Sequence, residues 1–263
     1  MSTSPQAAQE DIPIVLKEGL GPDFPTGYQE HAHRFLNSSE LQAWLTVPYS
    51  GVLMVNGDLD GDQKLSPLSV VCAMLLESLG SVDGALSMNF FCGLHTQIGD
   101  PATGPIAMIK SLIAQLLSQH DFDLDFIHLK DQQELEANDL DTVCDLFSRL
   151  ITQVPQSTPI FCIVDGISYY ETSSQRSAAC FVMSKILELI DEADVVLKLL
   201  ITAPGKSAYV KEGVRKRDIL WLPELDHADS GSPHNRHLRE ATKLRIQELQ
   251  EQMDYDEQDD IFE

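Results

Sequence analysis

Short apolar segments alternate with helical patterns along most of this 263-residue chain. Each segment has the length and apolar character of a buried β-strand. The segments cover residues 51–56, 85–92, 160–165, 195–202 and 218–222. Strands that are separated by helices pair in parallel, and the helices cover both faces of the sheet. We therefore predict an α/β fold, namely a three-layer α/β/α sandwich with a mainly parallel five-stranded sheet.

The first strand leads into a segment that resembles a phosphate-binding loop. Residues 51–57 read GVLMVNG, and Ser66 then has the sequence context of a helix N-cap. A working loop is G-x-x-x-x-G-K-[ST], whose backbone N–H groups and lysine hold the phosphates. Gly57 follows the strand as the motif requires, but Gly61 comes one position early, and Lys64 and Ser66 are out of register. We predict a degenerate nucleotide site with Gly57, Lys64 and Ser66 as its remnants.

Three carboxylates in this loop oppose phosphate binding. Asp58, Asp60 and Asp62 lie where a polyphosphate would bind, and among the loop residues only Lys64 opposes them. At about 5 Å and an effective dielectric constant of about 20, each carboxylate–phosphate pair costs roughly 3 kcal/mol before screening. Two such pairs would outweigh most of a micromolar affinity, which corresponds to about 8 kcal/mol. We therefore expect no cofactor, and ATP with Mg²⁺ stays the alternative because a metal ion would relieve part of the repulsion.

The same aspartates also resemble the start of a calcium-binding loop, D-x-D-x-D. The rest of that pattern is missing, because the sixth position is Gln63 rather than Gly and the twelfth is Ser69 rather than Glu. Without the bidentate glutamate, calcium binding would be weak. A calcium-responsive loop is a further alternative, and a solvated acidic turn is the simpler interpretation.

A second acidic position lies in residues 160–166, IFCIVDG, where Asp165 ends a wholly apolar strand. Such a carboxylate needs a metal ion, water or a hydrogen-bond donor. Asp165 could bind Mg²⁺, or it could cap a neighbouring loop or the helix at Ser66, and we favour capping because the phosphate loop is damaged. The acid that would orient an attacking water is missing, since Ser168 stands in its place. Glu171 could substitute only if the turn folds back.

A G-K-S sequence at residues 205–207 is another possible phosphate site. It directly follows the fourth strand, and two residues separate Thr202 from Gly205. That spacing is too short to wrap a phosphate. We interpret Lys206 as a surface-loop lysine.

From residue 44 to residue 222 the chain resembles the nephrocystin-type, NACHT-like P-loop domains of fungal STAND proteins. The resemblance rests on WLTVPYSGVLMVNG, MNFFCGLHT with MIKSLIAQLL, IFCIVDGISYYE and LKLLITAP, in that order. It implies that Gly57 matches the first Walker A glycine, Asp165 the Walker B acid and Thr202 the sensor position. The Walker lysine and serine have no secure counterpart, and Ser168 replaces the second acid. The ATP-dependent oligomer switching of that family is therefore in doubt for this chain.

Charge and composition restrict the partners. The net charge of −23 disfavours nucleic acid and anionic membranes. An odd number of cysteines in apolar patterns indicates reduced thiols, and the N-terminus lacks the pattern of a signal peptide. We expect a cytoplasmic protein whose partner is a protein.

We predict three regions and one principal function. Residues 1–28 read as a flexible segment, 29–225 as a P-loop NTPase-like domain, and 226–263 as a polar linker, a charged helix and an acidic disordered tail. The predicted function is a non-catalytic interaction or scaffold module, a pseudo-NTPase, whose partner is another protein or a related STAND protein. The alternatives are a slow ATP-dependent switch that uses Asp165 and Lys64, and a calcium-responsive module.

Overall fold

The computed structural model describes residues 5–21, 26–57, 64–97, 99–222 and 235–259. Its β-strands are Gly51–Asn56 (β1), Leu86–Phe91 (β2), Ile160–Asp165 (β3), Leu197–Ala203 (β4) and Ile219–Trp221 (β5). Its α-helices are Pro5–Gly19 (α1), Thr26–Leu36 (α2), Ser39–Thr46 (α3), Pro67–Leu79 (α4), Pro105–Gln119 (α5), Leu129–Glu136 (α6), Leu140–Ile151 (α7), Arg176–Glu192 (α8) and Asn235–Asp259 (α9).

The five strands form one sheet in the order β2-β3-β4-β1-β5. All four strand pairs are parallel. Helices cover both faces, so the predicted three-layer α/β/α architecture is confirmed, and the sheet is parallel throughout.

The chain order explains which helix lies on which face. The crossover from β1 through α4 runs to the far edge at β2, and the later crossovers return in the opposite direction. Because parallel crossovers are right-handed, a reversal of direction places the helix on the other face. Accordingly α5, α7 and α8 pack on one face, while α1 to α4 and α9 pack on the other. Alternate strand residues serve the two cores, as Met54 does for the first and Val55 for the second.

The N-terminal segment differs from the sequence prediction. We predicted a flexible lead-in over residues 1–28, but α1 occupies Pro5–Gly19. Val15 and Leu16 are buried in the second core, and Ile12 packs against it. Their spacing places all three on one face of a helix, which the polar composition of the segment obscured.

Three other elements also depart from the prediction. The apolar residues Phe35, Leu41 and Trp44 predict a single helix over 31–45. The chain forms two helices there, because Ser38 caps α3 by accepting a hydrogen bond from the Leu41 N–H at 3.2 Å. Helix α6 was missed, and since none of its side chains is buried it has no apolar stripe to signal it. The tail predicted to be disordered from residue 251 is helical as far as Asp259.

Some predictions concern parts of the chain that these findings do not test. The domain boundaries at residues 28 and 225 stay predictions. The apolar end of the tail, Ile261 and Phe262, lies outside the described residues. No helix in the described part combines the length and apolar character that crossing a membrane requires.

Candidate functional site

Asp165, at the carboxyl end of β3, is the centre of a buried polar cluster. Its carboxylate is 1% exposed, and both oxygens accept short hydrogen bonds. The Ser69 hydroxyl of α4 donates to Oδ2 at 2.7 Å, and the Thr202 hydroxyl of β4 donates to Oδ1 at 2.6 Å. The Gly166 N–H in turn donates to the Thr202 hydroxyl at 3.0 Å. The cluster therefore joins β3, β4 and α4 at the carboxyl edge of the sheet.

The start of α4 satisfies its own backbone groups. The Ser69 N–H donates to the Ser66 hydroxyl at 3.1 Å, and the Ser66 N–H donates to the Ser69 hydroxyl at 3.0 Å. This is a capping box with a second serine in place of the usual Glu or Gln. Pro67, at the first helical position, has no N–H. The first turn thus keeps fewer donors for an anion than an uncapped helix would offer.

Burial controls protonation at this cluster. It raises the pKa of Asp165 to about 6, although the hydrogen bonds from Thr202 and Ser69 act in the opposite direction. Two cysteines, Cys72 of α4 and Cys92 after β2, respond to the same surroundings. Burial raises the pKa of both thiols well above the usual range, and the negative charge of Asp165 adds a smaller effect in the same direction. Both sulfurs are therefore protonated at neutral pH and are poor nucleophiles.

The other residues that we predicted for the nucleotide site make no described hydrogen bond to the Asp165 carboxylate. Gly57 lies at the same edge, where its N–H donates to the Ala203 carbonyl at 2.8 Å and extends the pairing of β1 with β4. The Lys64 side chain is exposed. Its carbonyl packs so closely on Gly93 that a Cβ there would lie 2.0 Å from the carbonyl oxygen. Asp58, Asp60 and Asp62 lie outside the described residues, so the calcium-loop hypothesis stays a prediction.

Glu171, after the short helical turn that follows β3, anchors another part of the chain. Its carboxylate accepts four hydrogen bonds from the segment after β4. The donors are the Ser207 hydroxyl at 2.6 Å and the backbone N–H groups of Ala208 at 2.6 Å, Tyr209 at 3.0 Å and Val210 at 2.7 Å. Both oxygens are therefore engaged in holding this segment.

The G-K-S sequence at residues 205–207 belongs to the same anchored segment. Ser207 is fully buried, and its N–H donates to the Asn56 side-chain oxygen at 2.9 Å. Lys206 is exposed, as we predicted for a loop lysine. The Asn56 amide nitrogen has no hydrogen-bond partner in the described part of the chain. The tight anchoring of Ser207 leaves no open loop around this sequence.

A second polar cluster links the N-terminal helix to the end of β2. His95 Nε2 lies 3.0 Å from Asp11 Oδ2, and His95 Nδ1 lies 2.9 Å from Asp100 Oδ2. Burial lowers the pKa of His95, but the hydrogen bonds and charges of both aspartates together raise it above its usual value. Among the described residues no group of three His, Cys, Asp or Glu side chains could hold a metal ion.

Sequence reasoning missed Ser69, Asp11 and Asp100 as members of these clusters. Ser69 carried a signal, because it lies three residues after the N-cap Ser66, where a capping-box partner stands. Asp11 and Asp100 carried none, since their contact with His95 depends on the position of α1.

Comparison with known proteins gives one match. A profile of the protein family described as "Nephrocystin 3, N-terminal" matches residues 31–203, which is more than half of the chain. The matched region contains β1 to β4 together with Ser69, Asp165 and Thr202. No curated protein matches the sequence.

Proposed function

This chain belongs to the nephrocystin 3 N-terminal family, and we propose that it acts as a protein-interaction or scaffold module without NTPase activity. The observation that carries the proposal is the arrangement of Asp165, whose two oxygens are both bound by hydroxyl groups of the protein. A carboxylate that served Mg²⁺ would need to exchange these donors for the metal ion or its water ligands. At 1% exposure, Asp165 acts instead as a structural acceptor that joins β3, β4 and α4.

The N-terminus of α4 supports the same function. Phosphate sites at helix N-termini rely on free backbone N–H groups in the first turn. Pro67 removes one of these donors, and the Ser66 hydroxyl occupies the N–H of Ser69. Ser66 and Ser69 are 3% and 1% exposed. The helix is therefore capped by its own side chains.

Lys64 and Glu171, the side chains that would act on the outer phosphates, also have other positions and contacts. Lys64 is exposed while its backbone packs on Gly93. Glu171 uses both oxygens to hold the segment after β4. Neither residue is preorganised for phosphoryl transfer, which depends on positioning and on electrostatic stabilisation.

We propose a protein as the partner and the cytoplasm as the location. A net charge of −23 disfavours nucleic acid, favours a basic protein surface and is compatible with an apolar one, which a related STAND protein could supply. All five cysteines are free thiols, although Cys180 is half-exposed rather than buried as predicted. Free thiols are typical of a reducing compartment.

A slow ATP-dependent switch is the second candidate, and one observation favours it. Asp165, Ser69 and Thr202 meet at the carboxyl edge of a parallel sheet. They lie beside β1, whose connection runs toward β2, whereas the connection from the adjacent β4 runs toward β5. Ligands of open α/β sheets bind in such crevices. If a nucleotide opened this cluster, Asp165 and Ser69 would be the side chains able to reach Mg²⁺.

Thermal unfolding of the whole chain separates the two functions. We expect no stabilisation by about 5 mM Mg-ATP or Mg-ADP. A bound nucleotide at about 100 times its dissociation constant would add about 2.7 kcal/mol. Asp165→Asn tests the cluster, and Asp145→Asn, an exposed acid on α7, is the matched control. Stabilisation of the wild type and of Asp145→Asn, but not of Asp165→Asn, would establish the switch and contradict the scaffold proposal.

A further inference from the structure

A cavity of about 250 Å³ lies at the amino ends of β1 and β4. Asp165 lies at the opposite edge of the sheet, where the strands have their carboxyl ends. Its wall is mainly apolar and aromatic, with Trp44, Val47, Tyr49 and Leu53 among its members. Lys198, the second residue of β4, also lines it. Cavities for drug-sized ligands measure about 300–1,000 Å³, so this one suits a smaller molecule.

Lys198 is buried and has no negatively charged partner among the residues that the structure describes. It is 3% exposed, and its ammonium group donates to the Val47 carbonyl. The Tyr49 ring centroid lies 6.0 Å from Nζ. Within the part of the chain that the structure describes, Lys198 makes no ion pair within 4.0 Å. An ammonium group has three donors, and one of them is satisfied here.

This arrangement is costly for an isolated protein. A buried ammonium group without a counter-charge is destabilising. Burial accordingly lowers the pKa of Lys198 to about 8. Since that value is still above neutral pH, the charged form prevails at pH 7. The cavity is therefore lined by a buried cation for which the described residues supply one acceptor, the Val47 carbonyl.

The acids at the rim do not neutralise it. Asp218 contacts Arg215 at 2.8 Å and Arg217 at 3.6 Å, so its charge is already balanced by arginine. Glu40 is exposed, and its carboxylate accepts a hydrogen bond from the Ser39 hydroxyl at 3.0 Å. The cavity lining has two cations: Arg217, which contacts Asp218 and is 75% exposed, and Lys198, which is buried and has no carboxylate partner among the described side chains.

We propose that the cavity binds a small organic carboxylate, whose charge contacts Lys198 and whose apolar body packs against Trp44 and Tyr49. The carboxylate oxygens would accept hydrogen bonds from the ammonium group, and charge-assisted hydrogen bonds are stronger than neutral ones. The aromatic side chains would cover the apolar part by stacking or edge contact. The volume limits the ligand to about one ring.

A calorimetric titration of the whole chain with sodium benzoate tests this proposal. We expect saturable binding to the wild type and to Lys130→Met, whose parent lysine has an 81% exposed side chain on α6. Lys198→Met should bind benzoate at least tenfold more weakly. Benzamide, which has the same ring without the charge, should bind the wild type at least tenfold more weakly than benzoate.

The pH dependence of the wild type gives a test that does not rely on a variant's folding. Benzoate affinity should be constant between about pH 6 and pH 7, where the ligand is ionised, and should fall as pH rises through about 8, because only the ammonium form is attractive. Equal binding of benzamide, equal binding by Lys198→Met, an affinity unchanged up to pH 9.5, or no saturable binding of benzoate would each overturn the proposal.

Discussion

Asp165 is the residue at which burial and hydrogen bonding compete most directly. Burial raises its pKa to about 6, from an ordinary value near 3.8. For an acid with a raised folded-state pKa, stability is highest below the unfolded pKa and falls until the folded group also ionises. The contribution of Asp165 to the free energy of unfolding therefore falls between about pH 4 and pH 6 and stays low above that range.

Asp165→Asn should remove this loss of stability. A shift of about two pKa units corresponds to about 3 kcal/mol. We expect the variant to be more stable than the wild type at pH 7, by up to that amount, because the hydroxyl groups of Ser69 and Thr202 can turn to bind an amide. Urea unfolding at pH 4.5 and pH 7 measures the difference. A variant that is less stable at pH 7 would show that the hydroxyl groups stabilise the ionised carboxylate more than burial destabilises it.

His95 is a titratable contact between α1 and the end of β2. Both ring nitrogens can donate to Asp11 and Asp100 together only when the imidazole is protonated. Burial acts to raise the pKa of Asp100, but the Ala102 N–H and His95 lower it by more in total. The cluster is thus most favourable when the histidine is charged and both aspartates are ionised.

We expect the attachment of α1 to weaken as pH rises. Because the folded pKa of His95 is raised, its stabilising contribution is full below about pH 6.5 and is lost as pH rises through the folded value. Hydrogen exchange of the α1 amides, corrected for intrinsic rates, should show protection falling over that range. His95→Gln should remove the pH response, and His120→Gln should keep it. The same response in both variants would contradict this assignment.

At the scale of elements, α5 protects the outer edge of β2. The Gln115 side chain accepts from the Asn89 N–H at 2.9 Å and donates to the Asn89 carbonyl at 2.8 Å. Gln119, one turn later, makes the same pair of contacts with Ser87. The two glutamines take the place of a neighbouring strand, and an edge covered in this way cannot pair with another chain.

Gln115 should matter more than Gln119, because it is 5% exposed while Gln119 is exposed. Gln115→Met removes both hydrogen bonds from Gln115 to the buried Asn89 backbone, and the loss of a partner for a buried polar group costs about 1–3 kcal/mol. We expect a loss of about 2 kcal/mol or more, measured by urea unfolding. Gln119→Met should cost less than about 1 kcal/mol because water can replace the side chain. Equal losses would mean that water reaches both positions.

At the scale of the whole molecule, the second core is completed by elements outside the matched family region. Helices α1 and α9 flank residues 31–203 in sequence, and both pack on α4. Val15 of α1 and Leu249 of α9 are buried in that core. We infer that the flanking segments are part of one folded unit with the matched domain.

The same molecule carries a net charge of −23, so its folded state is under electrostatic repulsion. Added salt screens this repulsion, with a Debye length of about 30 Å at 0.01 M and about 10 Å at 0.1 M. We expect the melting temperature to rise when NaCl is raised from about 10 mM to 300 mM. KCl should have the same effect, since screening does not depend on the identity of the ion. A lower melting temperature in salt would mean that attractive ion pairs outweigh the repulsion.

The sequence by itself determined the parallel α/β architecture, the bounds of β1 and β3, and the loss of the phosphate-loop pattern after Gly57. Those features are local, because strand length, helical spacing and loop composition each report burial along a continuous segment. The tertiary structure decided that Ser69 and Thr202 bind Asp165, that Asp11 reaches His95, and that Glu171 holds the segment after β4. Each of these contacts joins residues far apart in the chain, so it depends on how packed elements meet, which no local pattern records.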